Sequence, residues 1–179
     1  MRTDRLVQEY GIKLRWSVFP LHPETPPEGR ELSDLFAGRE VMIRDMQARL
    51  LQVAAAEGLP LTERSRTYNS RLAQELGKWA EELGRGDQFR HAVYRAYFVE
   101  GVNIAMVDEL VQIASAAGLS ADEAQAVLAE RTFAGAVDTD WQRAMNMRIT
   151  AVPTHLCDGR RLAGFAGYDD FVRLIGENV

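Results

Sequence analysis

Between Ile12 and Val18 the chain alternates strictly, with Ile12, Leu14, Trp16 and Val18 on one side and Lys13, Arg15 and Ser17 on the other. A period of two predicts a half-buried strand with the four apolar residues on its inner face. Before it, Leu6 and Tyr10 stand one helical turn apart and Gly11 is placed to stop a helix that runs from Arg2 to Tyr10. After it, Pro20, Pro23, Pro26 and Pro27 predict an extended loop, because a proline ring withholds the amide that a helix or ladder needs.

From Glu31 to about Arg131 the spacing lengthens to three and four, the period of helices. Met42, Met46, Leu50 and Val53 make a first stripe, stopped by Gly58 and Pro60. Leu72, Leu76, Trp79 and Leu83 make a second, ending at Gly84, and Phe89, Val93, Ala96 and Tyr97 a third. Val107, Leu110, Val111 and Ala114 form a fourth, closed by Gly118. Each stripe predicts a helix with that face buried, and Trp79 is expected inside the helical region.

Ser120 followed by Glu123 has the spacing of a capping box, and Thr139 with Gln142 repeats it before a last short helix through Met147. The period then shortens again. Ala151 to Cys157 and Arg161 to Phe165 read as two short strands, joined by Asp158-Gly159, a pair suited to the positive φ angles of a two-residue hairpin turn. A closing helix presents Phe171, Leu174 and Ile175. The order is helix, strand, many helices, hairpin, helix.

Composition narrows the range of partners. The 179 residues carry a formal net charge of -5, the wrong sign for a nucleic-acid footprint, so no nucleic acid is expected. No apolar run approaches the ~18 residues of a membrane span, and the first residues lack the apolar core of a signal peptide, so no membrane partner is expected either. One cysteine, Cys157, fits a reducing compartment, and the expectation is a cytoplasmic protein. His22, His91 and His155 fall in a loop, a helix and a strand with no ligand spacing, and Glu81-Glu82 and Asp169-Asp170 read as solvated helix faces. No metal and no cofactor are expected.

The same order of elements, with the residues that fill it, resembles the DsbA-like family of FrnE type. Arg15-Trp16 leading to Phe19-Pro20-Leu21-His22-Pro23 and Pro26-Pro27-Glu28-Gly29 is similar to that family's second strand and following loop. Arg71-Leu72-Ala73 with Trp79-Ala80, then Ala96-Tyr97-Phe98-Val99-Glu100-Gly101 with Asn103-Ile104, resemble its helical stretches. Ala151-Val152-Pro153-Thr154 sits where the family carries its cis-proline loop. The resemblance implies an α/β, mostly helical, thioredoxin-like fold whose first strand is missing. Its lobe would be built from residues 1–30 and 132–179 around a helical insertion, 31–131.

The resemblance also implies a chemistry. Family members carry a strand and then CxxC at the start of the first helix, where free amides and the helix dipole favour the thiolate that attacks substrate disulfides. This chain opens partway along that helix and holds neither cysteine, so no catalytic residue is assigned. The 179-residue chain is expected to be inert in thiol-disulfide exchange, and the natural product is expected to retain the motif upstream. Val152, Pro153 and Thr154 remain as the substrate-binding residues the family implies, with a protein or peptide thiol as substrate and glutathione as a second candidate. A trans proline that simply opens a strand is the alternative at Pro153. After Pro153-Thr154 the chain reads His155-Leu156-Cys157, and after the hairpin Gly164-Phe165-Ala166-Gly167 replaces the usual Gly-Ala-Gln.

Two rivals share the pattern. A glutathione-dependent 2-hydroxychromene-2-carboxylate isomerase has the fold and insertion with a serine near the CxxC position. A non-enzymatic module could offer the proline loop to a peptide. A Cys157–His155 nucleophile is set against a small buried cysteine beside a half-exposed histidine, since strand residues two apart lie about 6 to 7 Å apart, beyond hydrogen-bond reach. Finally, a missing first strand would leave Leu14 to Val18 without its neighbour, so this strand is expected to join the hairpin, or a second copy to fill the gap in a homodimer.

Overall fold

The computed structural model describes residues 2–176. In chain order the elements are α1 (Arg2–Tyr10), β1 (Arg30–Glu31), α2 (Leu32–Leu35), α3 (Glu40–Ala56), β2 (Arg66–Thr67), α4 (Arg71–Glu82), α5 (Gly86–Phe98), α6 (Val107–Ala116), α7 (Ala121–Glu130), α8 (Ala134–Asn146), β3 (Thr154–Cys157), β4 (Arg160–Ala163) and α9 (Tyr168–Ile175). Residues 20–138 form one compact unit, and the two segments that flank them form another.

In the 20–138 unit the apolar faces of α4 to α7 converge on one core, although Leu83, expected at the end of the second stripe, lies beyond α4 and is 51% exposed. Leu76, Ala80, Leu110, Ala114 and Ala124 have no exposed surface, Phe89 is 1% exposed and Trp79 is 7% exposed, as its place in the second stripe predicts. Gly84 and Gly118 end α4 and α6 in the left-handed region, with φ of 68° and 81°. The Ser120 hydroxyl accepts the Glu123 amide at 3.3 Å and starts α7, as the capping spacing predicts.

One polar side chain interrupts the apolar face of α4. Glu75 is completely buried, which a carboxylate tolerates only when it is paired. Arg71, one turn earlier, brings Nε to 2.6 Å from it, and Arg131, just beyond α7, brings Nε and Nη2 to 2.7 and 2.6 Å. Arg71 also donates to Asp138 at 2.6 Å and to the Ala134 carbonyl at 2.9 Å. Arg131 holds a left-handed φ of 55°, so the turn between α7 and α8 is shaped around the ion cluster. The network joins α4 to the end of α7 and the start of α8.

The proline loop is tied down by amide side chains. Asn69 donates to the carbonyls of Pro23 and Thr25, both at 2.9 Å, and Asn103 donates to that of Pro27 at 2.8 Å. Gly29 closes the loop with φ of 84°, and a Cβ there would stand 2.5 Å from the Tyr68 ring. Beyond it, β1 and β2 make a two-residue antiparallel pair, Arg30 to Thr67 and Glu31 to Arg66, inside a region expected to be wholly helical. An Arg66–Glu31 ion pair at 2.8 Å accompanies it.

In the flanking unit, Leu6 of α1 packs with Phe171 and Ile175 of α9, and Tyr10, Ile12, Cys157 and Leu162 surround them. The Arg2 and Arg5 guanidiniums cover the Phe165 and Tyr168 rings at 4.4 and 3.8 Å. β3 and β4 pair antiparallel from Thr154–Ala163 to Cys157–Arg160, and the turn residues Asp158 and Gly159 have φ of 47° and 79°. These are the signs the dipeptide predicts.

Three expectations are corrected. Residues 11–19 form no strand: Leu14 and Trp16 are each 41% exposed, and the Val18 amide donates to the buried Asp140 carboxylate at 3.0 Å. Among the described residues this segment joins no ladder and β3–β4 stays two-stranded, so the alternation is not that of a paired strand. Thr139 starts no helix, because α8 already runs continuously from Ala134. On α3 the expected inner stripe faces outward, with Met42, Met46 and Leu50 53, 55 and 49% exposed. Ile43 and Ala54 are buried instead, and Gln47 between them donates to the Arg64 carbonyl at 2.8 Å, which turns that face inward.

Burial pushes the Glu75 carboxyl up, but hydrogen bonds from Arg131 and Arg71 outweigh it and hold its pKa below the ordinary 4.5. Its contribution to stability is therefore present above pH 4.5 and lost as the pH falls through the depressed folded value. Glu75→Ala is expected to cost about 2 kcal/mol at neutral pH, since it removes the carboxylate that ties Arg71 and Arg131 together by charged hydrogen bonds. In denaturant titrations the gap from the parent chain should narrow as the pH drops below 4.5; an unchanged gap would contradict the account.

Candidate functional site

The residues of greatest chemical interest lie where the chain leaves α8 and enters β3. Arg161 donates to the carbonyls of Met147 and Arg148 and so fixes the end of α8 beside the hairpin. The Val152–Pro153 peptide is cis, which removes the alternative of a trans proline opening the strand. The Thr154 hydroxyl donates to the Ala151 carbonyl at 2.7 Å, and the Gly164 amide donates to the Pro153 carbonyl at 2.8 Å. Gly164 takes φ of 82°, a conformation that favours glycine, to aim its amide there.

These bonds leave Ala151, Val152 and Pro153 exposed while Thr154 is half-buried at the first rung of the hairpin. Val152 is 45% exposed. Among the described residues none hydrogen-bonds to its backbone amide or carbonyl. The loop is thus a solvent-facing bend in which the Val152 amide and carbonyl have no hydrogen-bond partner among the described residues, next to a small apolar side chain. Such an edge can accept a few residues of another extended peptide.

His155 and Cys157 do not make a nucleophile. The His155 ring stands edge-on to Phe171 with centroids 4.7 Å apart, and its Nδ1 is buried without a partner. Burial pushes its pKa below 6.5, opposed by a contact with the Leu162 backbone. The Cys157 thiol is half-buried against the Leu6–Phe171–Ile175 cluster and donates to Asp158 at 3.9 Å. His22 lies in the other unit, 3.7 Å from Glu24 and edge-on to Phe36, and His91 is exposed on α5. Among the described residues no three His, Cys, Asp or Glu side chains gather in a group able to hold a metal ion.

The DSBA-like thioredoxin domain model matches residues 1–176. The chain belongs to this DsbA-like family. A crystal structure of a probable DsbA oxidoreductase from Streptomyces coelicolor superposes with a TM-score of 0.87 at 24% identity, over 97% of this chain and 80% of that one. A relative in Bacillus subtilis, the uncharacterized protein YwbO, is 25% identical over 177 residues, 97% of this chain and 86% of its own length. The fold is accordingly the thioredoxin-like DsbA fold in its mostly helical form.

Of the supports of this DsbA-like loop, Arg161 had no mark in the sequence, and Gly164 stood out only as part of the Gly164–Gly167 run that replaces the usual Gly-Ala-Gln. A glycine after a hairpin strand is a weak signal of a positive φ, and a strand arginine signals nothing by itself. The surroundings of His155 give a prediction. A depressed folded pKa means that the unfolded chain binds more protons, so this group favours the fold above pH 6.5 and loses that contribution as the pH falls below it. Melting curves of the parent chain should therefore lose more between pH 7.5 and pH 5 than those of His155→Gln. Equal losses in the two proteins would place the effect elsewhere.

Proposed function

We propose that the chain carries the scaffold and substrate-docking loop of a FrnE-type DsbA thiol-disulfide oxidoreductase. Val152, Pro153 and Thr154 receive an extended protein or peptide thiol substrate. The observation that carries the reading is the exposed Val152, with free backbone groups, on a loop held from behind by Gly164 and Thr154 in a DsbA-like domain. A docked peptide would use the Val152 amide and carbonyl as one strand uses its neighbour, and the small exposed side chains leave room for its backbone to approach.

Docking is not turnover. Exchange needs one thiolate to attack the substrate sulfur and a second thiol to resolve the mixed disulfide, with two electrons passing from the dithiol to the substrate. This chain holds a single cysteine, and Cys157 is packed against apolar side chains rather than set at a helix start. The 179-residue chain therefore binds such substrates without reducing them. A cytoplasmic setting, where thiol substrates stay reduced, accords with that single cysteine.

Two measurements test this. The chain should reduce insulin no faster than a non-catalytic control; robust reduction that survives Cys157→Ser would overturn the reading, since no thiol would remain. A fluorescent cysteine-containing peptide should bind in the extended form, and Val152→Asp should weaken it by roughly tenfold, the effect of placing a charge at the centre of a small contact. Binding untouched by Val152→Asp would move the docking site away from this loop.

A further inference from the structure

A second surface has nothing to do with thiol chemistry. α3 is a helix of 17 residues whose outward face carries Val41, Met42, Met46 and Leu50, exposed by 66, 53, 55 and 49%. At 100° per residue, Met42 and Leu50 lie about 40° to either side of Met46, so the three form one straight stripe. The inward face, Ile43, Gln47 and Ala54, is already engaged. Methionine-rich stripes of this kind adapt readily to an opposing apolar surface.

We infer that this face joins two copies of the chain in an isologous homodimer, with the α3 helices antiparallel and crossing at Met46. The choice of occupant rests on the stripe's self-complementarity. In such a pair Met46 meets the partner's Met46, and Met42 meets the partner's Leu50, twice over. A single symmetric contact then covers the whole stripe.

The charges agree with this arrangement and disagree with the parallel one. Asp45 and Arg49 are exposed on the same flank of the stripe, and among the described residues no ion pair engages either. In the antiparallel pair Asp45 comes within about 3 Å, along the axis, of the level of the partner's Arg49, on the same side of the contact, and the reciprocal pair repeats it. A parallel two-fold pair would instead carry the partner's Arg49 to the opposite flank of the contact, out of reach of Asp45. Charges at a rim choose orientation more than they add affinity. A shallow depression of about 500 Å³ at the start of α3, lined by Gly38, Arg39, Glu40, Val41, Met42 and Asp45, lies where the partner's Leu50 and Val53 arrive.

The test is sedimentation equilibrium on the 179-residue chain over a range of concentrations. A reversible dimer is expected. Met46→Lys should raise its dissociation constant by roughly tenfold or more, as loss of a central contact does, while helix content by circular dichroism stays unchanged because the side chain is exposed. Asp45→Lys should weaken the dimer, and adding Arg49→Glu should restore it, a rescue that a change in folding alone would not produce. A chain that stays monomeric at all concentrations would overturn the inference and leave the stripe to a different protein. A dimer indifferent to Met46→Lys would overturn it as well, placing the contact elsewhere, for instance along residues 12–18.

Discussion

The helical unit is organised around a carboxylate that is wholly buried. Glu75 sits with no exposed surface on a face otherwise made of Leu72, Leu76, Trp79 and Ala80, and burying it unpaired would cost several kcal/mol. The fold answers by bringing one cation from the same helix and another from 56 residues further on. Because Arg131 must reach inward, the residue ending α7 takes a left-handed conformation, and α8 starts where the Ala134 carbonyl and Asp138 can hold Arg71. Apolar stripes settle which faces of α4 to α7 are buried. They do not settle how the helices are rotated and offset, and a three-way ion cluster closed on the buried Glu75 by bonds of 2.6 to 2.7 Å does.

What could be read from the sequence follows from how local its cause is. The stripes of α4 to α6 were legible because burial repeats every turn, and the Ser120 cap and the Asp158-Gly159 turn because both are decided within a few residues. The ion cluster was half visible: Arg71 and Glu75 stand one turn apart on α4, an ordinary surface spacing, and only the third partner turns it into a core feature. Thr139 misled because a capping spacing inside a continuous helix looks the same as one that starts it. Gln47 misled in another way. One polar residue bonded to a carbonyl was enough to rotate α3 and put its methionines outside.

The site divides along the same line. That Val152, Pro153 and Thr154 form a distinctive loop came from resemblance, and no period or spacing would have singled them out. The structure adds the mechanics: Gly164 and Ala151 take up the inner hydrogen-bonding groups of the loop, while those of Val152 have no partner among the described residues. His155, two residues on, points instead into the Phe171 cluster, where an uncharged imidazole is the form that burial favours. The hairpin thus presents the exposed Val152 on one side and a packed ring on the other.

The two places where pattern and structure disagree most have a common cause. Ile12 to Val18 alternates as a strand does, and Met42 to Leu50 repeats as a buried helix does, yet Leu14, Trp16, Met42 and Met46 are all more than 40% exposed. A hydrophobic period states that a face is to be covered, not which molecule covers it. For α4 to α7 the cover is the rest of the same unit, so reading the period as burial gives the right answer. For α3 the same unit turns the other face inward through Gln47 and leaves the methionine face uncovered, flanked by Asp45 and Arg49, neither of them in an ion pair among the described residues. An apolar stripe so edged, and matching itself when reversed about Met46, carries the signature of an interface rather than of a core.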